Sequence, residues 1–145
     1  MSVRIKVNEI LLSMLRVAPE YAVWETERQN VSALHEVIDY INQHLAENIE
    51  MQQVSSLVNM NYYYFSKYFK KMIGLSFKEY VNLQRIKKAE RLLLTEDVNV
   101  NLIAEQVGIT NMAHFYKLFR RFNQCSPKQY IKKMTSSSDS PKSVE

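Results

Sequence analysis

With 145 residues, the chain can hold one ordinary domain and a modest extension; two glycines and three prolines favour helices over a turn-rich β fold. The net charge of +4 is unevenly spread, with four Lys/Arg against eight Asp/Glu in residues 1–50 and fourteen against five in residues 51–134. The basic residues form two blocks, Lys67 to Arg91 and Lys117 to Lys133, with none from Leu92 to His114, a pattern that suits a polyanion partner or an ordinary solvated surface.

Val3, Val7, Ile10, Met14 and Val17 alternate in steps of four and three, which predicts a helix with a two-heptad apolar seam that Pro19 ends. Arg4, Lys6, Glu9 and Arg16 interrupt the segment and no small-residue cleavage site follows, so a signal peptide is not expected. Nor does any stretch reach the roughly 18 apolar residues of a membrane span. Residues 19–30 read as a linker, with Trp24 placed to dock it. A second amphipathic helix is predicted from about Val31 to Ala46, with Leu34, Val37, Ile38, Ile41 and Leu45 on one face and His35 and His44 at the surface.

The remainder repeats itself. Val58-Asn59-Met60-Asn61 matches Val107-Gly108-Ile109-Thr110 at an offset of 49, and Phe65, Lys67, Phe69, Lys70, Lys71, Ser76 and Tyr80 match Phe115, Lys117, Phe119, Arg120, Arg121, Ser126 and Tyr130 at an offset of 50. Each copy reads as a helix-turn-helix. A short helix (Met51–Val58, Val100–Val107) carries a small residue, Ser55 or Ala104, for a close crossing. Asn59 or Gly108 then suits a left-handed helix end. A second helix follows from near Asn61 or Asn111, with a buried stripe of Phe65, Phe69 and Met72 or of Phe115, Phe119 and Phe122.

Ser76 with Glu79, and Ser126 with Gln129, are spaced as capping boxes, and Pro127 sits at a first helical position where its missing N–H costs nothing. Tyr80, Leu83, Ile86, Ala89, Leu92 and Leu93 continue one long helix to about Thr95, long enough to hold the two motifs at a set separation. Thr135 to Glu145 lacks apolar content and is expected to be disordered.

The stretches SLVNMNYYYFSKYFKKMIGLSFKEYV and QRIKKAERLLLTEDVNVNLIAEQVGITNMAHFYKLFRRFNQCSPKQYI resemble the DNA-binding region of the AraC/XylS family of bacterial regulators, over about residues 31–134. The resemblance implies an all-α fold of about seven helices: two helix-turn-helix subdomains (about 50–74 and 99–124) joined by a linker helix (76–95), here with the N-terminal amphipathic helix added. It also implies two recognition helices entering successive major grooves on one face of double-stranded DNA, and control of nearby promoters, often activation through RNA polymerase. The family often places a sensor domain before this region, and residues 1–24 resemble the end of one. Two positions depart from the pattern. Gln124 stands where the family usually has glycine, and Lys67 and Lys117 where arginine is common, which exchanges a bidentate fork for a point charge.

The face opposite the phenylalanines is the expected DNA surface: Tyr63, Ser66, Lys67, Lys70 and Lys71 in the first copy, and Asn111, Met112, Ala113, His114, Tyr116, Lys117, Arg120 and Arg121 in the second. Residues near the helix start would reach base edges and basic residues further along would reach phosphates. Tyr63 is expected to point outward and Tyr64 partly inward. Cys125 is alone, with no metal-ligand or disulfide partner, which fits packing and a reduced, cytoplasmic (nucleoid) setting. No phosphate loop, metal cluster or nucleophile–base pair is present, so neither enzyme activity nor a cofactor is expected. The alternative is a basic helical protein-interaction module without sequence-specific DNA binding. The seam Val3, Val7, Ile10, Met14 and Val17 is expected to support at most a weak homodimer, or to fold back near Leu34 and Ile38.

Overall fold

The computed structural model describes residues 28–97 and 99–137. The expectations for the N-terminal seam, for the linker up to residue 27 with Trp24, and for the last eight residues lie outside these; residues 28–30, expected in the linker, are helical. The chain divides into two compact units, Met1–Ile38 and Asp39–Glu145. The described part of the first, 28–38, is helical throughout.

Among the described residues there are seven helices and no strand. Helix α1 covers 28–43, starting and ending about three residues earlier than expected; Val37 and Ile41 of its predicted apolar face are buried, and Leu45, also buried, lies in the turn just after it. The others are α2 Met51–Leu57, α3 Tyr62–Ile73, α4 Phe77–Thr95, α5 Val100–Gln106, α6 Met112–Asn123 and α7 Pro127–Ser136.

Local chemistry sets most of these bounds. Asn61, Asn99 and Asn111 cap α3, α5 and α6, their side-chain oxygens accepting the N–H of Tyr63 (2.9 Å), Asn101 (3.0 Å) and His114 (2.9 Å). Both capping boxes close. The Ser76 N–H donates to Glu79 Oε2 (3.1 Å) and the Ser126 N–H to Gln129 Oε1 (3.0 Å), while each serine hydroxyl accepts the return N–H at 3.3 Å. Helices α3 and α6 both end on a left-handed residue, Gly74 (φ 82°) and Gln124 (φ 58°). Gln124 keeps the conformation without being glycine, at about 1–2 kcal/mol, and its Nε2 donates to the Arg121 carbonyl (3.1 Å). Helix α7 runs two residues past Met134, into the stretch expected to be disordered, and there the Thr135 and Ser136 hydroxyls donate back to the carbonyls of Ile131 and Lys132.

The two copies build two cores on one shared helix. At the start of α4, Phe77 packs on Phe65 and Phe69 with ring centroids 5.9 and 5.5 Å apart. Further along, Ile86, Ala89 and Leu93 join Ile103, Ala104, Val107, Ile109, Phe115, Leu118 and Phe119. The repeat extends to ring geometry: Phe69 meets Tyr80 edge-on at 5.5 Å, and Phe119 meets Tyr130 at 5.6 Å. The small residues Ser55 and Ala104 are buried as read.

Met72 corrects the expected stripe, being 47% exposed. Helix α6 packs against α4, α5 and α7, so Phe122 is partly covered, whereas α3 packs mainly on α2 and α4 and its last turn lies open. Tyr64 is a second correction. It is half exposed and stacks on Tyr68 one helical turn away, centroids 6.1 Å apart, instead of turning inward.

Contacts far apart in sequence hold the loop after α1. The Arg85 Nε donates to the Leu45 carbonyl (2.9 Å) and its Nη2 to that of Glu47 (2.7 Å). Gly108 (φ 82°), in the α5–α6 turn, lies on the same stretch of backbone: a Cβ built there would sit 2.5 Å from the Leu45 oxygen. The loop is thus caught between α4 and the turn of the second motif.

Candidate nucleic-acid interface

Recognition helices α3 and α6 follow the same plan fifty residues apart. Each has an asparagine N-cap, twelve residues, a left-handed C-cap, and phenylalanines buried at its fourth and eighth positions. Each carries three Lys/Arg and no carboxylate. Positive charge that the helix itself does not balance is therefore displayed on the side that the phenylalanines do not occupy.

On α3, Tyr63 is 76% exposed, Lys67, Lys70 and Lys71 are exposed, and Ser66 is half-buried. Positions 63, 66, 67 and 70 share one face at helical spacing. On α6, Ala113, His114, Lys117, Arg120 and Arg121 are exposed, while Met112 and Tyr116 are half-buried. The two helices differ most in the first turn, where Tyr62, Tyr63 and Tyr64 stand opposite Met112, Ala113 and His114. Surfaces so unlike would read different base edges.

Two of the predicted residues are engaged within the chain. The Asn111 side-chain oxygen is occupied as the cap, so that side chain orients the first turn of α6. Arg121 turns toward α4 and pairs with Glu79, Nη2 to Oε1 at 3.0 Å, and its guanidinium lies 5.7 Å from the Phe122 ring centroid. Hydrogen bonds from Ser76, then Arg121, hold the Glu79 carboxyl below the ordinary carboxylate range. Sequence spacing offered no sign of this pair, whose members are 42 residues apart. Burial lowers the pKa of Arg85, whose partners are backbone carbonyls. Among the described residues, no group of His, Cys, Asp and Glu could hold a metal, and no helix is long and apolar enough to cross a membrane.

Two helix-turn-helix motifs on one scaffold, each with a basic outward recognition helix, define a DNA-binding protein. Comparison with known proteins agrees. A helix-turn-helix domain family matches residues 54–133. The regulatory protein PocR of Salmonella typhimurium is 34% identical over 110 residues, which cover 76% of this chain and 36% of PocR. The C-terminal domain of the response regulator yesN of Fusobacterium nucleatum has a TM-score of 0.64 at 31% identity, over 69% of this chain and 98% of that domain. The DNA-binding domain of AdpA, solved in complex with a target DNA, has a TM-score of 0.68 at 25% identity, over 74% of this chain and 97% of that one. The chain belongs to the AraC/XylS family and carries its two-motif DNA-binding region. The matched region is of the kind that DNA-binding transcription regulators carry. The matched residues span only about a third of PocR.

Proposed function

We propose that this chain binds duplex DNA through both motifs at once, with α3 and α6 in successive major grooves on one face. The observation that carries this reading is the shared α4, which contributes Phe77 to the first core and Ile86, Ala89 and Leu93 to the second, so that one rigid element bears both recognition helices. Tyr63, Ser66 and Lys67 of α3, and Met112, Ala113, His114, Tyr116 and Lys117 of α6, meet base edges. Lys70, Lys71, Arg120 and Arg121 meet phosphates, Arg121 by exchanging Glu79 for the DNA. Asn111 holds the first turn of α6 in place.

Footprinting on a duplex selected from random sequence tests the reading. Two protected major-groove segments about ten base pairs apart on one face are expected, because adjacent turns lie ~34 Å apart. One protected segment per protein refutes it. Binding that is equal on anionic vesicles and on DNA would favour the basic interaction module instead. The wider role proposed is promoter activation through RNA polymerase in the bacterial nucleoid, with weak pairing of two chains through the seam Val3, Val7, Ile10, Met14 and Val17. Sedimentation of the chain beside a version starting at Gln29 tests the pairing: equal monomers at high concentration, with the shorter one less heat-stable, refute it.

A further inference from the structure

A cleft of about 430 Å³ opens where the two recognition helices approach α4. Tyr62 and Ser66 of α3 line it, His114 comes from α6, and α4 contributes Lys78, Asn82 and Arg85. No Asp or Glu is among its lining residues. Arg85 donates to the neutral carbonyls of Leu45 and Glu47, and among the described residues neither it nor Lys78 is in an ion pair. The cleft therefore gathers positive charge that the fold leaves uncompensated.

If α3 and α6 occupy successive major grooves, the sugar–phosphate backbone passing from one groove to the next must cross the space between them. That backbone carries one negative charge per ~3.4 Å of helix axis on each strand. We infer that this cleft seats phosphate groups of the crossing strand, with Lys78 of α4 as the hydrogen-bond donor and Arg85 as a fixed positive charge beneath it. The inference rests on the proposed engagement of both grooves at once, and it adds a contact that neither recognition face supplies. It assigns the stretch between the half-sites a part in affinity but not in base reading.

The test uses the whole chain and the selected duplex, with single neutral methylphosphonate linkages placed along each strand. One or two linkages midway between the half-sites should weaken binding several-fold. The exposed Lys78→Ala variant should bind more weakly, respond less to those same linkages, and show a salt slope smaller by ~0.9, the value of one released counterion. Lys78→Arg should restore both. If midway linkages leave affinity unchanged while those flanking each half-site weaken it, the cleft holds no phosphate and the two-groove reading stands. A chain that protects no paired segments overturns that reading, and this inference with it.

Discussion

Gly108→Ala and Gly74→Ala are the same chemical change at two left-handed positions of nearly equal φ, and the structure separates them sharply. Both glycines have φ 82°. An alanine there costs about 1–2 kcal/mol for the left-handed conformation, relieved in part by the smaller entropy of its unfolded chain. At Gly74 the new methyl would meet nothing within 4 Å, so the net loss should stay near 1 kcal/mol. At Gly108 it would lie 2.5 Å from the Leu45 oxygen and 3.0 Å from that of Ala46, both backbone atoms that no rotamer change can move. Relieving such an overlap typically costs about 1–3 kcal/mol more. Moving the loop also strains the Arg85–Leu45 hydrogen bond of 2.9 Å. We expect roughly 2–5 kcal/mol for Gly108→Ala, from these two costs together, a large share of the ~5–15 kcal/mol that holds a domain of this size folded.

Thermal and urea unfolding followed by circular dichroism would measure both. Gly74→Ala should lower the midpoint by about 4–8 °C and Gly108→Ala by at least twice as much. The double variant Gly108→Ala/Arg85→Ala should lose less than the sum of its parts, because both act on the same loop. Equal losses for the two glycine variants would show that the loop does not press on the second turn, and that the backbone conformation alone explains both.

Lys67→Ala and Lys117→Ala should each weaken specific binding by ~1–3 kcal/mol and relax preference at one base position; unchanged competition titrations for both would place the reading face elsewhere. Arg121→Ala should barely change the unfolding midpoint, since its pair with Glu79 is solvent-exposed and screened. Glu79 has a folded pKa below its unfolded value, so its contribution is present above about pH 4.5 and is lost as pH falls through the lowered value. Glu79→Gln, which keeps a capping box of the kind Gln129 forms, should flatten that acid-side loss; an unchanged pH profile of stability would show that the carboxylate's partners do not favour its charged form.

Much of this protein is decided within a few residues of chain, and those parts could be read directly. A cap is an interaction across two or three positions, so Asn61, Asn111, Ser76 and Ser126 announced their helix starts. A buried stripe is a matter of helical period, so Phe65, Phe69, Phe115 and Phe119 declared the cores, and the fifty-residue repeat declared the pair of motifs. The basic outer faces of α3 and α6 followed from the same period.

The departures come where a residue's surroundings arrive from elsewhere. Met72 and Phe122 occupy equivalent positions with similar apolar character. Helix α6 packs against α4, α5 and α7, which partly covers Phe122, whereas α3 packs mainly on α2 and α4 and leaves Met72 open. Gly108 was legible as a left-handed turn residue, but its approach to Leu45 depends on a loop more than sixty residues earlier. Arg85 reaches Leu45 and Glu47 across 40 and 38 residues, and Arg121 reaches Glu79 across 42. Such contacts leave no periodic trace, because neither partner's local conformation requires the other. The order of helices and their faces is therefore written in short-range spacing, whereas the grip on the α1–α2 loop and the cationic cleft between the motifs exist only once α4 brings the two cores together.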